Sequence, residues 1–136
     1  MASILVVGPD AALLEGISQT LMAAGHKVVV AKDIPEALET LQGTRPLVAL
    51  VDCDELSRGG SIFRVSLAQG GALLAFHCDE VDAADLPFRL QRATLAELKL
   101  PLERQRLLAL VRYVESRARA AGRESADGDG IGADAR

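Results

Sequence analysis

The sequence has few aromatic side chains, two cysteines and no tryptophan among its 136 residues. Aromatic residues make up only 3%, so no surface for stacking nucleic-acid bases is expected and direct nucleic-acid binding is not predicted. No apolar stretch approaches the roughly 20 residues of a membrane span, and no signal peptide is apparent. We therefore expect a cytoplasmic protein without a membrane contact, in which both cysteines are free thiols.

Hydrophobic residues make up 49% of the chain and charged residues 25%, which is the balance of an ordinary globular protein. The length suits a single domain with a hydrophobic core. The net charge of −4 is unevenly spread, because residues 104–123 hold six arginines and one acid, whereas residues 124–136 hold four acids and one arginine. We expect residues 1–121 to form the domain. Residues 122–136, rich in Gly, Ala and Asp, are predicted to be a disordered tail or linker.

Short apolar runs alternate with segments of helical periodicity along the chain. The predicted strands are 3–7, 27–31, 47–51, 72–76 and 95–99, and the predicted helices are 11–24, a helix capped by Asp33, 61–69, a short or broken helix within 79–92, and 102–121. A loop is predicted for 55–60. This alternation predicts an α/β fold, a doubly wound five-stranded parallel sheet of order 2-1-3-4-5, as in the flavodoxin-like fold.

Asp52 is the most informative residue, because it ends the continuous apolar run 47–51. A strand that is apolar at successive positions is covered on both faces, as in a parallel sheet with helices on each side. Ligands of such sheets bind where the strands end at their carboxyl edge. Asp52 is therefore a candidate site residue, whereas the first strand ends in Gly8, Pro9 and Asp10.

Three stretches of the sequence resemble the receiver domains of bacterial two-component response regulators. They are ILVV at 4–7 followed by PDAALL at 9–14, AAGHKV at 23–28, and EALETL at 36–41 followed by Arg45, Pro46 and Asp52. The similarity runs from about Ser3 to Val114. It implies the receiver fold, a role in signal transduction, and Asp52 at the position of the phospho-accepting aspartate.

Other positions depart from the receiver pattern. They are Gly8 and Pro9 at the two metal-binding acids, Phe76 at the hydroxyl residue, Glu97 at the aromatic switch residue, and Leu100 at the lysine before a proline. Lys99 is one residue away from the lysine position, and a shift of one residue in a strand sends a side chain to the opposite face. Asp10 is one residue beyond the acid pair, so its side chain is expected to point away from the pocket.

These departures predict a degenerate receiver, or pseudo-receiver, that acts through protein–protein contacts without normal phosphorylation. Phosphoryl transfer depends on neutralising charge with a metal and a cation, and few such groups remain. No cofactor is required by this interpretation, although Asp10, Asp52 and Asp54 leave a weak Mg²⁺ site open. The alternative is a response regulator phosphorylated on Asp52 in a phosphorelay. An enzyme is not predicted, because no base–nucleophile pair can be placed.

The resemblance also indicates what the chain binds. We expect other signalling proteins or a fused or separate effector as partners, through the face built from the last two strands and the last helix. The basic last helix is a further candidate for a homodimer contact.

Cys53, His77 and Cys78 suggest a second kind of site. Strands three and four are neighbours in the predicted order, so these residues approach one another at the carboxyl edge. Two thiols and an imidazole are plausible zinc ligands, and the two cysteines could instead form a redox disulfide. Their spacing matches no zinc motif, and free structural cysteines remain the simplest interpretation.

Overall fold

The computed structural model describes residues 2–57, 64–78 and 88–132. The elements are β1 (Ser3–Val7), α1 (Ala11–Ala23), β2 (Lys27–Ala31), α2 (Ile34–Leu41), β3 (Val48–Asp52), α3 (Cys53–Ser57), β4 (Ala72–Cys78), α4 (Phe88–Ala93), β5 (Thr94–Leu100) and α5 (Arg104–Gly132). All strand pairs are parallel, in the order β2-β1-β3-β4-β5. This confirms the predicted doubly wound, flavodoxin-like sheet.

Each face of the sheet packs against its own helices. Side chains of β1, β3, β4 and β5 on one face form a core with α1 and α5, whereas side chains on the other face pack with α2 and α3. Within β1, for example, Ile4 and Val6 belong to the first core and Leu5 and Val7 to the second. Because successive side chains of a strand point to opposite faces, covering both faces explains the continuous apolar runs in the sequence.

Carboxylates begin the first two helices, as the sequence predicts for α2. The Asp10 carboxylate accepts a hydrogen bond from the Leu13 N–H at 3.1 Å, which satisfies one of the unpaired N–H groups of α1. At α2, Asp33 accepts from the Glu36 N–H at 2.9 Å, and the Glu36 carboxylate accepts from the Lys32 N–H at 2.9 Å. This is close to the predicted capping box, with the return bond one residue earlier.

Two predictions between β3 and β4 are wrong. The predicted loop 55–60 begins inside α3, because Asp52 supplies a cap for a helical turn at Cys53–Ser57. The predicted helix 61–69 is not an α-helix in its described part, 64–69, and residues 61–63 lie outside the described residues. The Ala68 N–H donates to the Pro46 carbonyl at 2.9 Å, so this segment bonds to the chain before β3 and not to a helical turn.

The C-terminal elements are longer than the sequence predicts. Both β4 and β5 extend beyond their predicted ends. The short helix α4 overlaps the end of the uncertain segment 79–92 and continues one residue beyond it, and residues 79–87 lie outside the described residues. The α5 helix continues to Gly132 instead of ending near Ala121. The division into a domain and a tail or linker stays a prediction. No helix in the described ranges is long and apolar enough to cross a membrane.

Candidate functional site

Asp52 lies at the carboxyl edge of the sheet, between the end of β1 and the end of β4. It pairs in register with Phe76 of β4, whose ring is 1% exposed. A methyl group placed on Gly8 would lie 3.2 Å from the Phe76 Cζ, 3.3 Å from the Asp52 Cβ and 3.4 Å from the Leu14 Cδ2. The phenyl ring therefore occupies the space next to Gly8 and Asp52. Sequence reasoning identified these positions separately and missed their contact.

The Asp52 carboxylate is used within the fold. It accepts a hydrogen bond from the Asp54 N–H at 2.8 Å, so Asp52 caps α3. Burial raises the pKa of this carboxyl above its ordinary value of 3.8, because a desolvated carboxylate is disfavoured. The backbone N–H groups of Asp54 and Glu55 oppose the rise in the pKa of Asp52, and the charges of Asp54 and Glu55 reinforce it.

Replacing Asp52 with asparagine or alanine distinguishes the contribution of its helix-capping hydrogen bond to stability from the contribution of its charge. Asparagine keeps the accepting oxygen and removes the desolvated charge, so we expect Asp52→Asn to be more stable than the wild type at neutral pH. Alanine removes the cap, and we expect Asp52→Ala to lose about 1 kcal/mol. Urea unfolding followed by circular dichroism measures both differences.

The pH dependence provides the control. The pKa of Asp52 is raised in the folded state. Protonation of Asp52 therefore stabilises the fold, with the full effect below about pH 3.8. This stabilisation is lost as the pH rises through the folded-state pKa. The advantage of Asp52→Asn should therefore disappear in acid, where both side chains are neutral. An advantage that is the same at acidic and neutral pH would contradict this account of Asp52.

The other acids of the predicted Mg²⁺ site, Asp10 and Asp54, each lie at the start of a helix. Asp10 is exposed and caps α1, in agreement with the expectation that its side chain points away. Asp54 is exposed, and Gly8 and Pro9 offer no side-chain oxygen. Among the described residues, no three His, Cys, Asp or Glu side chains form a group that could hold a metal ion. Mg²⁺ prefers several oxygen ligands in octahedral geometry, and the weak Mg²⁺ site at Asp10, Asp52 and Asp54 stays a prediction.

In β5, Lys99 lies on the face opposite to Leu100, as the sequence predicts, and Glu97 lies on the same face as Lys99. Leu100 is fully buried, whereas Lys99 and Glu97 are exposed. Along β5, the buried side chains Leu98 and Leu100 belong to the core with α1 and α5. Lys99 and Glu97 are therefore on the opposite face, as alternation along a strand requires.

Of the predicted thiol and imidazole cluster, the structure describes the side chains of Cys53 and His77. Cys53 is a free thiol, 1% exposed in the core with α2 and α3. Burial, with the nearby charge of Glu97 next, raises the pKa of this thiol to about 12, which disfavours the thiolate needed for zinc binding or attack. His77 is half-buried. The side chain of Cys78 lies outside the described part of the structure, so the predicted zinc cluster stays a prediction.

Comparison with known proteins identifies the fold. No family model matches the sequence, and no curated protein matches it. A response regulator receiver domain from Clostridium thermocellum has 19% identity and a TM-score of 0.66, over 89% of this chain and 99% of that one. A CheY-like receiver domain from Methanospirillum hungatei JF-1 has 20% identity and a TM-score of 0.64, over 88% and 98%.

A longer solved structure is similar as well. Full-length FixJ from B. japonicum matches 97% of this chain and 66% of its own, with 21% identity and a TM-score of 0.65. The identities are low, so the common feature is the three-dimensional arrangement of the sheet and its helices. The chain has the fold of response regulator receiver domains.

Proposed function

We propose that this chain is a degenerate receiver that acts in signal transduction or transcription regulation by binding other proteins, without being switched by phosphorylation of Asp52. The observation that carries the proposal is the Phe76 ring, which lies against Gly8 and Asp52 where a metal and a phosphoryl group would need space. The receiver fold supports the signalling role.

The chemistry of phosphoryl transfer supports the same conclusion. Its transition state is stabilised by positioning and by positive charge, which a metal ion and a cation supply. Here an apolar ring stands next to Asp52, and the nearest charges that act on its carboxyl are those of Asp54 and Glu55. Lys99, the basic residue beside the family's lysine position, is on the exposed face of β5. Mg²⁺ is therefore not required for the proposed role.

The proposed contact face is formed by β4, β5 and α5. Three large apolar side chains of this region are exposed, namely Leu95 at 39%, Tyr113 at 53% and Leu102 at 70%. The Arg117 guanidinium lies 5.7 Å from the centre of the Tyr113 ring, which holds the ring on the surface. Exposed aromatic and arginine side chains are typical of residues that contribute strongly to protein–protein binding.

We infer that the partners are other signalling proteins or an effector. A similar solved structure from Pelobacter carbinolicus is a response regulator receiver modulated diguanylate cyclase, with 17% identity and a TM-score of 0.62. The FixJ chain likewise extends beyond the part that this chain matches. The exposed apolar side chains on α5 and β5 suit contact with an effector. The effector is then either joined to the receiver-like domain or a separate protein that it binds.

Incubation with acetyl phosphate and Mg²⁺ tests the proposal. We expect intact-mass spectrometry to show no phosphoryl adduct on the wild type, because the metal and the cation have no built site. Beryllofluoride should leave the amide resonances of residues 52–57 unchanged for the same reason. Asp52→Asn is the matched control, since it keeps the α3 cap without a phospho-acceptor.

The rival function is a response regulator phosphorylated on Asp52. It is favoured by one observation, the position of this carboxylate at the end of β3 within the receiver fold. A phosphoryl adduct on the wild type that is absent from Asp52→Asn would establish the rival and refute the proposal.

A further inference from the structure

The edge of the sheet formed by β2 is open. Among the described residues, β2 pairs with β1 alone, at the end of the sheet opposite to β5. The Lys27 N–H donates to the Ala2 carbonyl at 2.9 Å, so Lys27 directs its backbone groups toward β1. Because alternate residues of a strand direct these groups to the same edge, Val28 and Val30 present theirs to the outside. No turn or loop of the described chain donates to them or accepts from them.

This edge lacks the protection that natural sheets give to an unpaired strand. Charged side chains, proline, a bulge or a covering segment usually protect such an edge, whereas β2 presents three successive valines at 28–30. Val30 is 42% exposed. It lines a surface groove of about 440 Å³ together with Ser18 of α1. The Ser18 hydroxyl is buried and has no hydrogen-bond partner among the described residues. Open backbone groups beside an apolar groove indicate that another strand covers this edge.

The helices on the two faces leave room for that strand. Both α1 and α2 contact β1 as well as β2, one on each face of the sheet. Each helix therefore lies over the β1–β2 pair and not beyond it. If a second copy continued the sheet, its α1 would lie about two strand spacings away, or about 9.6 Å. Packed helices are separated by about 8–10 Å, so the second copy fits with its own helices in place.

The backbone groups available at this edge select one register. At its two ends, the His26 N–H already donates to the Leu21 carbonyl, and the Lys32 N–H donates to the Glu36 carboxylate. The groups left are those of the two outward-facing valines.

An antiparallel pair with its two-fold axis at Val29 places Val28 opposite Val30 of the other copy. Residues that face each other in this way exchange N–H and C=O hydrogen bonds, so every outward group of the two valines finds a partner. A register shifted to either side would bring Val30 opposite His26, or Val28 opposite Lys32, whose N–H groups are already bonded.

The side chains agree with the same register. Val28 packs with the core on the α1 face, and Val30 lies on that face two residues later. The facing valines thus form β-branched cross-strand pairs, which stabilise antiparallel strands. On the other face, the exposed Lys27 is the diagonal neighbour of Asp33 in the second copy, within reach of a long side chain. The α2 cap uses one of the two Asp33 oxygens, and the other can accept from the ammonium.

We propose that the β2 edge binds a second copy of this chain as an antiparallel β2–β2 pair centred on Val29. The two sheets then continue into one sheet with helices on both faces. This inference goes beyond the proposed function, because β2 lies at the opposite end of the sheet from the β4–β5–α5 face. That face stays available for other proteins in the dimer.

Sedimentation velocity of the full chain over a range of concentrations tests the proposal. We expect a concentration-dependent dimer that Val30→Lys weakens about tenfold or more, because the two-fold axis repeats the loss of each valine pair. The exposed position of Val30 lets the variant fold. Leu102→Lys introduces the same charge on the β4–β5–α5 face, at a side chain that is 70% exposed, and should leave self-association unchanged.

Charge and backbone supply two further readouts. Lys27→Glu should weaken the dimer severalfold by facing Asp33 with a like charge, whereas Lys99→Glu on β5 should not. Amide hydrogen exchange at Val28 and Val30 should slow as the protein concentration rises, because dimerisation pairs these N–H groups. Exchange at Lys27, whose N–H already bonds to Ala2, should not depend on concentration.

A wild-type chain that stays monomeric at millimolar concentration would overturn the proposal. A dimer that Leu102→Lys disrupts and Val30→Lys leaves intact would place the contact elsewhere and also refute it. Binding of an extended test peptide at Val28 and Val30 without self-association would assign the edge to a foreign strand, and the proposal would be wrong. The phosphoryl adduct is a separate measurement. A monomer without an adduct refutes only the dimer, whereas a dimer phosphorylated on Asp52 refutes only the proposed function.

Discussion

Replacing Gly71 with alanine is expected to lower the free energy of unfolding by about 3 kcal/mol or more. An added Cβ would lie 2.5 Å from the Leu47 carbonyl oxygen and 2.8 Å from the Ala68 carbonyl oxygen. Both oxygens already accept backbone hydrogen bonds, from Ala72 and from Gly71 itself, at 2.9 Å. The backbone must therefore move at the point where β4 begins to pair with β3, and hydrogen bonds there must lengthen.

Urea unfolding followed by circular dichroism measures the loss. Gly16→Ala is the matched control, because Gly16 lies within α1 and an added Cβ meets nothing within 4 Å. Alanine is favoured over glycine inside a helix, so this control should gain up to about 1 kcal/mol. Equal effects of the two substitutions would show that the crowding at Gly71 does not matter for stability.

The sheet could be predicted from the sequence because its signal is local. Apolar runs of strand length alternate with amphipathic segments, and β1 and β2 begin and end at their predicted residues. The strand order then follows from the handedness and shortness of the connections. Asp33 and Glu36 likewise predict the start of α2, because a helix cap depends only on residues that are close in the sequence.

The segment between α3 and β4 could not be predicted in the same way. Residues 61–69 have a helical pattern of apolar side chains, but Val65 packs in the core with α2 and α3 without a helix. The Ala68 N–H bonds to the Pro46 carbonyl, 22 positions earlier in the chain. Such distant bonds override local propensity. The carbonyl oxygens around Gly71 and the backbone of Ala118 beside Gly70 leave no room for a Cβ at either position, and neither contact is visible in the local sequence.

The candidate site shows the same limit. The resemblance to receivers placed Gly8, Asp52 and Phe76 at family positions one by one, and it correctly separated Lys99 from Leu100. The contact among Gly8, Asp52 and Phe76 depends on the lateral register of β1, β3 and β4, which no single segment encodes. The hydrogen bonds of Glu103 and Arg106 with β5 could not be predicted for a similar reason, because they involve backbone groups that carry no sequence signal.

Gly8 and Phe76 are expected to be strongly coupled in stability. Phe76→Ala should lose about 3–5 kcal/mol, because it removes a buried ring and leaves a cavity. Gly8→Ala alone should lose about 1–2 kcal/mol, since the new methyl group crowds the Phe76 ring at 3.2 Å. In the Phe76→Ala background, that methyl group enters the vacated space, and Gly8→Ala should be neutral or stabilising. The double-mutant cycle should therefore give a coupling energy of about 1 kcal/mol or more.

Gly16→Ala combined with Phe76→Ala is the control pair and should be additive, because nothing contacts a Cβ at Gly16. Additivity of Gly8→Ala with Phe76→Ala would mean that the ring does not fill the space beside Gly8, and the structural basis of the proposed function would be lost. The coupling also bears on substitutions that would add a ligand beside Asp52. An acid restored at Gly8 would meet both the phenyl ring and the Asp52 carboxylate, so a single substitution at this position is expected to destabilise the fold before it creates a metal ligand.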